Sequence, residues 1–137
     1  METSLSSTIK EANTTLINNG NLDLVGDFFT SDYTVHLTDR VMNAGHKTIQ
    51  DILSELRQSF PDIQVDVEVL LEDKDRIAWQ RTLRATHKAK FKNFPASDLP
   101  IVWRDMVTSQ FRDGLIAEEW VITDLAEQLL LSRKRNV

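Results

Sequence analysis

A strand near the end of the chain carries acidic and apolar side chains together. Asp113-Gly114 between two apolar-rich runs is typical of a hairpin turn. Because side chains alternate between the two faces of a strand, the segment after this turn would direct one set of residues to the same side. That set is Ile116, Glu118, Trp120, Ile122 and Asp124. Ligand sites combine apolar walls with a few polar groups, so this face predicts a pocket.

Asp124 is the candidate catalytic base of the predicted pocket. A carboxyl group with an unperturbed pKa of about 4 is a weak base, so it needs a desolvating environment that raises its pKa. Trp120 and Ile122 would supply that environment. The alternative is that Asp124 caps the helix that follows and accepts a hydrogen bond from the amide of Ala126 or Glu127. Such amide donors would lower the pKa of the carboxyl group and make it a poorer base.

Two histidines, His36 and His87, are further catalytic candidates. A histidine can relay a proton near neutral pH or donate a hydrogen bond to a developing oxyanion. The alternative for each is a structural histidine at a strand end, satisfied by a backbone partner. The chain has three histidines, and no two of them have the short spacing of metal ligands on one element. We therefore predict no metal site.

Aromatic, polar and cationic side chains on the same predicted strands are candidates for binding the ligand. They are Trp120, Glu118, Gln110, Trp103, Trp79 and Arg81. The tryptophans would form an aromatic wall for a flat ligand, or they would fill the core, as large aromatic side chains commonly do. Arg81 would contact the ligand or pair with Glu118 or Asp105. Such ion pairs would hold a cavity open.

Composition limits the kinds of protein this chain can be. With 137 residues, 41% of them hydrophobic and 27% charged, it fits one globular domain over 1–137. The absence of cysteine excludes a disulfide scaffold, a thiolate nucleophile and a cysteine zinc site, and makes the cytoplasm the expected compartment. A net charge of -5 argues against a nucleic-acid partner. No segment approaches the apolar length needed to cross a membrane.

Apolar periodicity predicts helices in the first part of the chain and strands afterwards. Helical spacing covers residues 6–18, 22–29, about 47–59 and 125–133, and Pro61 stops the third of these helices. Strand patterns cover residues 33–37, 63–72, 75–87, 100–111 and 115–122. This order indicates an α+β domain in which a curved, mostly antiparallel sheet wraps around the amino-terminal helices.

Over about residues 21–130 the chain resembles the SnoaL-like polyketide cyclases, also called predicted ester cyclases, of the nuclear transport factor 2-like superfamily. The resemblance is carried by Val35-His36, Phe60-Pro61-Asp62, Asp75-Arg76-Ile77-Ala78-Trp79 with Thr86-His87, and Asp113-Gly114 through Glu118, Trp120 and Asp124. It implies a cone-shaped α+β barrel with an apolar cavity, and a homodimer formed through the outer face of the sheet.

The resemblance also implies a reaction. It is an intramolecular aldol condensation that closes a ring of an aromatic polyketide ester, with a carboxylate at Asp124 as acid and base and with no metal or cofactor. A conjugated substrate spreads the charge of its own enolate, so neither a metal nor a Schiff base is required. The expected partner is therefore a hydrophobic small molecule.

Three parts of the sequence depart from the family pattern. Ala85 and Ala89 replace glycines on the two sides of Thr86-His87, and the usual Pro-Thr-Gly turn reads Pro95-Ala96-Ser97-Asp98. Gln110 stands where a relative carries an assisting histidine, and an amide can donate a hydrogen bond but cannot exchange a proton near pH 7. Two alternatives to the cyclase therefore stay open: an isomerase or hydratase that uses the same pocket, and a non-catalytic ligand-binding or dimerisation module.

Overall fold

The structure is a computed structural model that describes residues 4–135, and the side chains of residues 4–133. The predicted domain also includes residues 1–3, 136 and 137, which lie outside the described residues. The helices are α1 (Leu5–Asn13), α2 (His46–Ser59) and α3 (Leu125–Arg135), with a π-helical turn (Thr14–Asn18) directly after α1 and a 3₁₀ helix (Leu22–Asp27). No helix in the described part of the chain is both long and apolar enough to span a membrane.

Local sequence explains where the amino-terminal helices begin and end. The Ser4 hydroxyl accepts the amide N–H of Ser7 at 3.0 Å, which caps α1. Gly20, two residues after the π-helical turn ends, has a φ of +69°, a left-handed conformation that glycine adopts without steric penalty. Pro61 follows α2, whose last residue is Ser59.

Six strands form one sheet in the order β2-β1-β6-β5-β4-β3. Their bounds are β1 (Phe29–His36), β2 (Val41–Asn43), β3 (Gln64–Glu72), β4 (Arg76–Thr86), β5 (Pro100–Arg112) and β6 (Leu115–Thr123). Neighbouring strands are antiparallel except β1 and β6, which run parallel. The sheet is curved but does not close into a complete barrel, and this confirms the predicted α+β class.

A bulge in β6 decides which side chains face the helices. Phe111 of β5 pairs with Ile116, but the preceding Gln110 pairs with Glu118, so Ala117 is an extra residue in β6. Ile116 and Glu118 therefore lie on opposite faces of the sheet. The prediction that they share one face was wrong, because a bulge shifts the alternation by one residue.

The inner face of the sheet packs against the helices in two hydrophobic clusters. One contains α1 and α2 residues with Trp79 and Val107, and the other contains Phe60, Trp103 and residues of α3. On the outer face, β5 and β6 leave large apolar side chains exposed, namely Val102, Met106 and Ile122.

Candidate active site

The first hydrophobic cluster surrounds a cavity of about 200 Å³ between the helices and the inner face of the sheet. Most of its wall is apolar and comes from α1, the π-helical turn, α2, β1 and β6. Five side chains bring hydrogen-bonding or ionisable groups to that wall: Asn13, Tyr33, Trp79, Arg81 and Glu119. An apolar cavity with a few convergent polar groups is the usual form of a small-molecule site.

Glu119 is the buried carboxylate of this cavity. It projects from β6 on the inner face, where 7% of the residue is exposed. The Tyr33 hydroxyl donates to Glu119 Oε1 at 2.6 Å, and the Ser109 hydroxyl donates to Oε2. The indole Nε1 of Trp79 donates to Ser109 Oγ at 2.9 Å and thereby orients that hydroxyl toward the carboxylate. Glu119 is thus held in one orientation by two hydroxyl groups.

Burial raises the pKa of Glu119 above its ordinary value, because the ionised form loses its hydration. The hydrogen bonds from Ser109 and Tyr33 and the charge of Arg81 oppose this rise only in part. Burial, and next the neighbouring charge of Glu119, also raises the pKa of Tyr33. Tyr33 therefore stays neutral and remains a donor, while Glu119 is a stronger base than an exposed glutamate.

Arg81 brings a cation to the cavity wall, but its charge is already paired. Its Nε donates to Asp105 Oδ2 at 2.8 Å, and its Nη1 donates to Asn13 Oδ1 at 2.9 Å. The predicted pairing of Arg81 with Asp105 is confirmed. A guanidinium has further N–H donors beyond these two, so Arg81 can still bind a ligand oxygen. Among the described residues, no cation bonds directly to Glu119.

The predicted pocket residues Glu118, Trp120 and Gln110 lie on the outer face of the sheet instead, together with His36. His36 Nε2 lies 2.6 Å from Glu118 Oε2, and its ring stacks on the indole of Trp120 with centroids 4.7 Å apart. The Gln110 side chain accepts a hydrogen bond from Arg76. These groups meet beside an outer groove of about 310 Å³, on the side of the sheet away from Glu119.

Asp124 does not line the cavity. Its Oδ1 accepts the backbone N–H of Arg104 at 2.7 Å, and its Oδ2 accepts the side-chain amide of Gln128 at 3.2 Å. The carboxylate therefore ties the start of α3 to β5. The predicted bond to the amide of Ala126 or Glu127 is replaced by the bond to β5.

Trp103 belongs to the second hydrophobic cluster, and the buried His87 packs beside that cluster; neither residue lines the cavity. Each ring packs against Phe60 with centroids 5.0 Å apart. Burial lowers the pKa of His87 because the imidazolium would be desolvated. Of the predicted ligand-binding residues, Trp79 and Arg81 do line the cavity.

The sequence interpretation missed Glu119, Tyr33, Ser109 and Asn13. A hairpin that pairs Arg112 with Leu115 would, without a bulge, place Glu118 opposite Ser109. The extra residue at Ala117 places Glu119 there instead. One feature of the sequence could have indicated the buried carboxylate. Glu118 and Glu119 are adjacent, so with or without the bulge one of them lies opposite Ser109 and faces the interior.

A family model described as SnoaL-like polyketide cyclase matches residues 7–130. No curated protein sequence matches the chain.

Three solved structures are similar over nearly their whole lengths. A candidate polyketide cyclase from Acidithiobacillus ferrooxidans has 22% identity and a TM-score of 0.80, covering 96% of this chain and 99% of that one. IdmH, a candidate polyketide cyclase from Streptomyces antibioticus, has 23% identity and a TM-score of 0.77, with coverages of 94% and 97%. AclR, a candidate hydroxylase from Streptomyces galilaeus, has 20% identity and a TM-score of 0.78, with coverages of 96% and 98%. At these identities the similarity establishes the fold, and the reaction must be argued from the site.

Proposed function

We propose that this chain, which belongs to the SnoaL-like polyketide cyclase family, is an enzyme that closes a ring in a hydrophobic carbonyl compound by an intramolecular aldol reaction. Glu119 is the acid/base group of this proposal. The observation that carries it is a buried carboxylate held by two hydroxyl donors in the wall of an apolar cavity, where no cation of the described part of the chain bonds to it.

The reaction needs one group to move a proton twice. Ionised Glu119 removes a proton from the carbon next to a ligand carbonyl, which leaves an enolate. The enolate carbon then forms a bond to a second carbonyl carbon of the same molecule, and the electrons of that carbonyl double bond move to its oxygen. This oxygen takes the proton back from Glu119, so the carboxylate is regenerated and no atom is lost.

Neighbouring side chains support both halves of this cycle. The hydroxyl groups of Tyr33 and Ser109 keep Glu119 in one orientation, which is required for proton transfer to a positioned carbon. The unused N–H donors of Arg81 can bind the carbonyl oxygen and stabilise charge that develops on it. The indole of Trp79 adds an aromatic wall. These groups suit a neutral, mainly apolar ketone or ester.

Asp124 and the outer-face residues take other roles in this proposal. Asp124 accepts a backbone amide and a side-chain amide, and it lies outside the cavity. The sequence predicts Asp124 as the base, whereas this proposal assigns that role to Glu119, so an experiment can distinguish the two. His36, Glu118 and Trp120 are outer-face residues and do not meet a ligand in the cavity.

Proton exchange on a simple aromatic ketone tests the proposed function. In deuterated buffer the enzyme should accelerate exchange of the methyl protons of acetophenone, measured by NMR as loss of the methyl signal. Only ionised Glu119 is a base, so the rate should rise with pH, with a midpoint above the ordinary value of 4.5. Tyr33→Phe removes a donor that lowers the pKa of Glu119, so it should move the midpoint further upward. Exchange no faster than in buffer alone would refute the proposal.

A homodimer formed through the outer face of the sheet is part of the proposal. The exposed side chains of Val102, Met106 and Ile122 give the face formed by β5 and β6 an apolar centre. A two-fold axis through such a face would bury the same residues on both copies. We expect sedimentation at micromolar concentration to give the mass of two chains, and Met106→Asp to give that of one. A wild-type monomer under these conditions would contradict the dimer.

A further inference from the structure

The π-helical turn Thr14–Asn18 forms part of the cavity wall. The amide N–H of Asn19 bonds to the carbonyl of Thr14 at 2.9 Å, the spacing of a π turn, and Leu16 and Ile17 point into the cavity. A π turn is a wider coil than an α-helix and is often found at functional sites. Its position on the wall makes the placement of Leu16 and Ile17 sensitive to whatever holds the turn.

Arg57 of α2 holds the end of this turn. Its Nη1 donates to the carbonyl of Ile17 and, at 3.5 Å, approaches that of Asn18. These carbonyls lie at a helix end, where they have no partner within the helix, and a charged donor makes a strong bond to them. The guanidinium lies in the space that a side chain at Gly20 would occupy. Gly20 therefore allows Arg57 to reach the turn.

Arg57 thereby joins two walls of the cavity. The helix that carries it, α2, contributes Ile49, Ile52 and Leu53 to the cavity, while the turn that it holds contributes Leu16 and Ile17. A second contact, from the amide N–H of Val65 to Asn18 Oδ1 at 2.8 Å, ties the turn to β3 but not to α2. Arg57 is thus the side chain that links the turn to α2 by hydrogen bonds within the described residues.

We propose that Arg57 is a positioning residue that fixes the distance between the π-helical turn and α2 and so sets the size of ligand that the cavity accepts. The inference rests on the proposed function in one respect, that the ligand binds in this cavity. Without the guanidinium, the turn can move away from α2. The cavity then admits a wider molecule, and it contacts a small one less closely.

Binding of two ketones of different width tests this role. Dissociation constants for acetophenone and for the wider acetylpyrene are measured by NMR titration for the wild type and for Arg57→Ala. In the wild type the smaller ketone should bind more tightly. The substitution should lower the dissociation constant of acetylpyrene relative to that of acetophenone by on the order of tenfold. This is the scale on which pocket size discriminates between ligands. Arg84→Ala removes an exposed arginine from the outer face and should leave the ratio unchanged.

Two further variants keep the test decisive if Arg57→Ala folds poorly. Arg57→Met keeps the aliphatic length of the side chain without a donor and should shift the ratio in the same direction, whereas Arg57→Lys keeps a cationic donor and should return the ratio part of the way to the wild-type value. Equal changes for both ketones, or an unchanged ratio, would overturn the role of Arg57. If the wild type binds neither ketone, the proposed cavity function fails, and the inference fails with it.

Discussion

Glu119→Gln is expected to lower the rate of α-proton exchange by on the order of a hundredfold or more, the usual contribution of a general base. Glutamine keeps the shape of the side chain and an oxygen that can accept from Tyr33, but it cannot take a proton. The affinity for acetophenone should therefore stay close to that of the wild type.

Stability provides the control for this substitution. Because burial raises the pKa of Glu119 in the folded protein, the folded state keeps a proton that the unfolded state releases. The contribution of Glu119 to the free energy of unfolding should therefore fall as the pH rises from 4.5 toward the raised pKa, and it is measured as the difference between the wild type and Glu119→Gln. Glu119→Gln removes this dependence and should be no less stable at neutral pH. Loss of exchange caused by unfolding would appear instead as a lower melting temperature.

Arg81→Met should destabilise the protein by about 3 to 5 kcal/mol, the range seen when one partner of a buried ion pair is removed. The remaining carboxylate of Asp105 is 8% exposed and would lose the cation that lies 2.8 Å away. Asn13 would also lose a donor. Urea denaturation measures the change in the free energy of unfolding.

An exposed ion pair supplies the matched control. Arg84 and Asp66 lie on the outer face with 55% and 78% of their side chains exposed, so Arg84→Met should change the free energy of unfolding by less than about 1 kcal/mol. Adding Asp105→Asn to Arg81→Met removes the uncompensated charge and should recover part of the loss. Equal effects of Arg81→Met and Arg84→Met would contradict a stabilising role for the buried pair.

Much of the fold could be predicted because the sequence marks it locally. The period of apolar residues and Pro61 define α2, and alternation with the Asp113-Gly114 turn defines β5 and β6. The short strand β2 was missed, because three residues, Val41–Asn43, are too few to show alternation. The π-helical turn was predicted as a continuation of the first helix, since apolar spacing does not distinguish the two coils over five residues.

The interior of the site could not be predicted in the same way. Whether Glu118 or Glu119 faces the cavity depends on a bulge at Ala117, and alanine carries no signal for a bulge. Because Ala117 is an extra residue in β6, Trp120 and Glu118 lie on the outer face with His36. Simple alternation does hold for Trp79 and Arg81, which share the inner face of β4, because β4 pairs with β5 in an unbroken register.

The most direct test of the proposed mechanism compares two carboxylates, Glu119 in β6 and Asp124 directly after it. Methyl-proton exchange of acetophenone is measured for the wild type, Glu119→Gln and Asp124→Asn under the same conditions, each with its melting temperature. We predict that Glu119→Gln loses exchange and keeps its stability, whereas Asp124→Asn keeps exchange and loses stability, because asparagine has one acceptor oxygen for the two donors that the carboxylate binds, the Arg104 amide and the Gln128 side chain. Loss of exchange in Asp124→Asn, with an active Glu119→Gln, would contradict the account.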